Sequence, residues 1–209
     1  MTFAALAIDV PILARLKSET RFEHEAIERA LGLIDEGLTL ERYRGILERF
    51  YGFYAPLEDH LWGVIATTRT FDLAGRRKTP LLRADLESLT GGAGAASLPL
   101  CSDLPPHDTV AACFGCLYVM EGATLGGQVI SRHVRQVLGV TPELGGRFFH
   151  GYGDCTGLMW CAFRDAFATR SGPLAASSSS LFPQEEVVGA ANATFRRLRV
   201  WCAGAHHES

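Results

Sequence analysis

Lys17, Thr20, His24 and Glu28 have residue types and a spacing that could do chemistry together. Steps of three or four put them on one face of a helix, and a carboxylate four residues after an imidazole can reach its ring nitrogen. A carboxylate holding one nitrogen aims the other, which is how metal-ligating histidines are oriented. The same pair would also serve as a solvated i,i+4 contact, so His24 alone decides nothing.

A second stretch, Tyr118 to Arg132, has helical apolar periodicity but contains Gly122, Gly126 and Gly127. Each glycine costs roughly 0.8–1.0 kcal/mol against alanine in a helix interior, about 3 kcal/mol together. On a helical wheel with Gly122 at zero, Gly126 falls at about 40°, Ala123 at about 100° and Gly127 at about 140°. Val119 and Ile130 share that arc, whereas Glu121, Gln128 and Arg132 point away. The helix therefore offers a smooth strip that backbone or ligand can approach closely. One occupant is another helix, packed on small residues. The other is a broad planar ligand, over which the Gly126-Gly127 pair lets the helix bend. With His24 as an axial base on a separate helix, the second reading is a haem sandwich, imidazole on one side and glycine-rich backbone on the other.

The elements that must position these groups are helical. Apolar spacing predicts a first helix from Pro11 to Leu31 and a second from Leu40 to Ile65, capped by Thr39 and kinked at Pro56. Gly75 to Lys78 reads as a solvated loop. A third helix runs from Thr79 to Leu89 with Thr79 as N-cap and Pro80 at the first helical position. Gly91 to Ser97 is a flexible connection lacking the Lys-Ser/Thr of a phosphate loop. The longest helix spans Asp108 to Leu138, and Gly145 to Gly153 is a glycine-punctuated linker. Further helices cover Thr156–Thr169 and Pro183 or Gln184 to Cys202, separated by a Ser177–Ser180 loop. No period-2 run and no internal repeat is present, so the class is all-α. The expected organisation is a single domain over residues 1–209, with 1–10 and 203–209 as flexible tails.

Bulk properties narrow the function. The chain has 209 residues, 47% of them apolar, and a formal charge of -3, which suits one globular domain with a full core. Lys17 and Lys78 are the only lysines and the arginines are scattered, which argues against nucleic acid. The N-terminus lacks a basic n-region, and no stretch of about 18 uncharged apolar residues appears, so a cytoplasmic protein without membrane association is expected. Six cysteines fit a reduced compartment, most of them as small core residues. Cys113 and Cys116 have redox spacing but no thioredoxin-type strand before them. No Glu-x-x-His pair supports a di-iron site. His60 and His133 are rival axial ligands without a partner placed like Glu28, and His206 and His207 fall in the expected tail.

Leu16-Lys17-Ser18-Glu19-Thr20-Arg21-Phe22-Glu23-His24 with Glu28, and Tyr118-x-x-Glu121-Gly122-x-x-Leu125-Gly126-Gly127-Gln128, resemble the bacterial biliverdin-producing haem oxygenases often encoded beside bacteriophytochromes. The resemblance runs from about Leu13 to Trp201 and takes in Phe148 to Gly153 and Trp160 to Phe163. It implies a helical bundle with haem b between the first helix and a glycine-kinked distal helix. His24 would be the proximal iron ligand and Glu28 would hold its other nitrogen. Lys17, Tyr118 and, more weakly, Arg164 would meet the propionates. Tyr54 resembles a distal-pocket tyrosine and Phe195 a pocket wall, with Ala123 and Gly127 lining the haem.

The implied reaction is O2-dependent cleavage of haem to biliverdin, CO and free iron, with electrons from a ferredoxin or other reductase and a bacteriophytochrome as acceptor of biliverdin. The bend at Gly122 and Gly126 would direct O2 to one meso edge. The sequence departs from the animal-type pattern at Ala123, where those enzymes carry an aspartate that orders water. The same scaffold without turnover would be a haem-binding or haem-transfer protein. A hydrolase of the related thiaminase-like scaffold would instead need a cysteine nucleophile and bind no haem.

Overall fold

A computed structural model of the chain describes residues 12–67, 73, 75–92, 94–95, 97–171 and 183–204. Among these, the first expected helix is two: α1 (Ile12–Glu19) and α2 (Arg21–Leu31), meeting at Thr20. The cause is local. The Thr20 hydroxyl donates to the Leu16 carbonyl at 2.7 Å, and such back-bonding bends helices. α2 ends at Gly32, whose φ of 57° lets its amide close on the Glu28 carbonyl.

α3 (Leu40–Ala66) starts as expected, with Thr39 Oγ1 accepting from the Arg42 amide. In α4 (Thr79–Thr90) Pro80 sits in the first turn, but Thr79 is the first helical residue rather than the cap. Glu58 of α3 does the capping, accepting from the Lys78 amide at 2.5 Å and from the Thr79 amide and hydroxyl at 3.1 and 2.6 Å. α5 (Val110–Leu138) is capped by Thr109, one residue beyond the expected start.

The expected 145–153 linker contains a one-turn helix, α6 (Arg147–His150), followed by a 3-10 turn at Gly153–Cys155. Asp85 of α4 holds this helix start, accepting from the Arg147 and Phe148 amides at 2.8 Å each. α7 (Thr156–Ser171) lies where periodicity put it, and α8 (Gln184–Ala203) runs one residue into the expected C-terminal tail. Ser177–Ser180, His206, His207 and residues 1–10 lie outside the described residues.

α8 is the hub: α1, α2, α3 and α5 all pack on it, α5 along the greatest length. α5 and α8 meet tightly at Gly115, where a Cβ would stand 2.3 Å from the Val187 carbonyl oxygen and 2.8 Å from Ala190 Cβ. α5 is long and apolar enough to cross a membrane, and 67% of that stretch is buried inside the bundle, which accounts for its composition. A layer of aromatics from α3 (Tyr43, Phe50, Phe53, Tyr54) and α6 (Phe148, Phe149) packs together in the core.

Candidate functional site

α2 and α5 both lean on α8 and share little direct contact with each other. They come together at Thr20 and Tyr118: burial pushes the Tyr118 phenol pKa up, and the neighbouring Thr20 hydroxyl holds it back. One turn beyond this contact stand His24 on α2 and Gly122 on α5. His24 is 51% exposed, its Nδ1 lies 3.6 Å from Glu28 Oε2, and Phe195 of α8 meets its ring edge-on at 5.4 Å. Nε2 is left without a partner among the described residues. The i,i+4 geometry expected of His24 and Glu28 is present, and both side chains are open to solvent.

The glycines of α5 divide into two kinds. A Cβ at Gly115 or Gly127 would collide with backbone, the latter lying 2.7 Å from the Phe149 carbonyl oxygen. A Cβ at Gly122 or Gly126 would meet no atom of the described residues within 4 Å beyond its own helix backbone. Helix packing therefore explains Gly115 and Gly127 and leaves Gly122 and Gly126 unexplained. The strip expected to include all four small residues is narrower than that, since Gly127 is buried against α6 while Ala123 and Gly126 are exposed. Leu125 and Val129, 42% and 51% exposed, lie beside the open pair on one side.

The opposite side of α5 carries the largest departure from expectation. Arg76 and Lys78, expected in a solvated loop, are buried against Glu121, which is 1% exposed. Arg76 Nη1 donates to Glu121 Oε2 at 2.5 Å, Lys78 Nζ to Oε1 at 3.2 Å, and the Tyr152 hydroxyl to Oε1 at 2.7 Å. Lys78 Nζ also contacts the Tyr152 hydroxyl and bonds the Arg76 carbonyl at 3.0 Å. Burial lowers the Lys78 pKa against the pull of Glu121, and raises that of Glu58, which faces the same lysine. A signal for this cluster was present: Glu121 is the only charge between Val110 and Ser131. A charge so placed has to be paired if buried.

Other expected residues lie at the Thr20–Tyr118 contact or away from it. Lys17 is exposed and pairs with no carboxylate among the described residues. Tyr118 packs on Trp160 of α7 at 6.0 Å. Arg164 is exposed, its guanidinium contacting Cys161 Sγ at 3.2 Å. Tyr54 is 2% exposed, and its ring contacts are with Phe50, Phe53 and Phe148, rather than with His24 or the open glycines. His60 bonds the Pro56 carbonyl through Nδ1 and packs on His107, and His133 uses Nε2 on the Asp35 carbonyl. Cys113 and Cys116 are buried thiols whose pKa burial pushes up to about 12, so neither is a nucleophile.

A planar apolar group with a central metal fits the residues present. Among the described residues, His24 Nε2 has no partner while Glu28 stands 3.6 Å from Nδ1, Phe195 walls the imidazole, Gly122 and Gly126 leave bare backbone beside the exposed Leu125 and Val129, and Lys17, two turns before His24, pairs with no carboxylate.

Fold and site thus define an all-helical protein in which an N-terminal histidine helix and a glycine-bearing central helix pack on α8 and approach each other at Thr20 and Tyr118. The chain belongs to the haem oxygenase family: residues 10–203 match the family model described as Heme oxygenase. It is 36% identical over 96 residues to the protein named Heme oxygenase of Xanthomonas campestris pv. campestris, a stretch covering 46% of this chain and 54% of that one. The chain therefore aligns with about half the length of that curated relative. In fold it is similar to the heme oxygenase of Neisseria meningitidis, solved with NO and CO, at TM-score 0.76 and 19% identity over 96% of each chain. It is also similar to heme oxygenase-1 of the cyanobacterium Synechocystis, solved with heme, at TM-score 0.71 and 14% identity over 94% of this chain and 93% of that one.

Proposed function

We propose that the protein binds haem b between α2 and α5 and cleaves it with O2 and external electrons to biliverdin, CO and iron. The observation that carries this reading is the uncovered backbone at Gly122 and Gly126 on a helix whose other glycines, Gly115 and Gly127, are tightly packed. Family membership and the likeness to haem-binding relatives support it.

His24 would ligate the iron through Nε2, with Glu28 holding Nδ1 and keeping the ring oriented. When bound, the haem supplies its own oxygen chemistry; the protein supplies position and hydrogen bonding. Lys17 and Tyr118, with Arg164 further out, would anchor the propionates and so select which meso edge is presented for attack. Gly122 and Gly126 leave that edge reachable by O2, while Phe195, Leu125 and Val129 limit water. Ala123 offers no side-chain hydrogen bond, so water here would be ordered by backbone carbonyls of the glycine stretch. Tyr54 enters the reading as part of the aromatic layer of α3.

A ferredoxin or other reductase is the electron donor in this reading, a bacteriophytochrome the acceptor of biliverdin, and the cytoplasm the compartment. Aerobic incubation of the haem complex with a reductant tests the reaction. Loss of the Soret band with growth of biliverdin absorption is expected; a stable reduced complex would make the protein a haem carrier instead.

A further inference from the structure

We propose that Glu121, gripped by Arg76, Lys78 and Tyr152, is a positioning residue that holds the open glycine face of α5 in place and thereby sets which edge of the substrate is cleaved. The last step rests on the haem-cleavage reading; the anchoring itself does not.

The helical wheel shows how the anchoring is arranged. Gly122 and Gly126 centre at about 20°, whereas Glu121, Gln128, Thr124 and Gly127 lie at about 260°, 240°, 200° and 140°, an arc centred on the opposite side. Of these four, Glu121, Gln128 and Gly127 meet groups outside α5, and Thr124 bonds within the helix. Glu121 receives the three charged or phenolic donors. Thr124 Oγ1 donates to the Glu121 carbonyl at 2.6 Å, and Gly127 lies against the Phe149 carbonyl. Gln128 Nε2 donates to the His150 carbonyl at 2.9 Å and contacts Thr156 Oγ1 at 3.3 Å. The segment from Phe149 to Thr156 thus clamps α5 from behind along the length over which its front is bare.

An apolar side chain at Glu121 would fill the space without the large desolvation cost that buried ions carry. What the ionic cluster adds is direction. Two cations and a phenol on two oxygens fix both the rotation and the axial position of the helix, whereas apolar packing tolerates sliding. Gly122 follows directly, its Cα about 3.8 Å from that of Glu121, so any rotation at Glu121 moves the front face with it. Ala123 sharpens the dependence: with no polar side chain at that position, the place of the backbone itself has to do the selecting.

The test uses the full chain with Glu121→Gln and, should that variant fail to fold, Tyr152→Phe, which removes one hydroxyl and keeps the ring. In the haem-free protein, amide hydrogen exchange of Gly122 to Gly127 is expected to accelerate about tenfold, with Ile27 to Leu31 of α2 unchanged. In the haem-loaded protein the ratio of biliverdin isomers is expected to shift, while Leu47→Val, a core change matched for stability loss, leaves it as in wild type. A folded variant with wild-type exchange at Gly122 to Gly127 overturns the anchoring. Faster exchange with an unchanged isomer ratio overturns the selection. Wild type that produces no biliverdin at all defeats the cleavage reading, and the exchange experiment still judges the anchor.

Discussion

Gly126 and Gly127 are consecutive in α5 and have opposite surroundings: a methyl on Gly126 would meet no other described residue within 4 Å beyond its own helix, while one on Gly127 would lie 2.7 Å from the Phe149 carbonyl oxygen. Alanine at the two positions should therefore separate ligand binding from folding. Gly126→Ala should leave the haem-free protein as stable as wild type or up to about 1 kcal/mol more stable, because alanine is the better helix former. It should weaken haem binding or turnover about tenfold or more, since the methyl enters the space assigned to the ligand. Gly127→Ala should cost roughly 1–3 kcal/mol of stability through overpacking. Urea unfolding of the haem-free proteins and haem titration together check both.

The pH dependence of stability has an assignable contribution from Asp85. Burial pushes its carboxyl up to about 6 from an ordinary 3.8, against the Phe148 and Arg147 amides that hold it down. The folded state therefore binds more protons than the unfolded state between these values. Stability from this group is present below about pH 4, falls as pH rises toward 6, and is flat above. The full term is roughly 3 kcal/mol at most. Unfolding of wild type and Asp85→Asn between pH 4 and 6.5 should show the difference between them moving in favour of the variant as pH rises. A pH-independent difference would show that burial does not control this carboxyl.

Thiol labelling should follow burial rather than motif. Cys155 and Cys161 are exposed, whereas Cys101, Cys113 and Cys116 are buried and the Cys202 thiol is pushed up to about 12 by burial. A chromogenic disulfide reagent should modify two thiols quickly in the native protein and all six after unfolding. Rapid reaction at Cys113 or Cys116 would revive a redox role for that pair.

Much of this fold was legible because its signals are local. Thr39 before an amphipathic run marks the start of α3, and periodicity alone sets α5, α7 and α8. His24 with Glu28 and the glycine-bearing helix were likewise readable from spacing. What was hidden depends on partners far along the chain. Arg76 and Lys78 look like surface residues in a glycine-started polar stretch, and only Glu121, 45 and 43 residues later, draws them inside. α6 looks like linker because its amides are held by Asp85, 62 and 63 residues earlier. The wheel also grouped Gly127 with Gly122 and Gly126, since rotation about one axis cannot say that Phe149 occupies the edge of that arc.

The central claim is that α2 supplies the axial ligand, and the absorption spectrum of ferric haem bound to His24→Ala tests it most directly. Loss of imidazole ligation is predicted, with recovery on adding free imidazole, while His60→Ala and His133→Ala keep the wild-type spectrum. A His24→Ala spectrum identical to wild type would contradict the account.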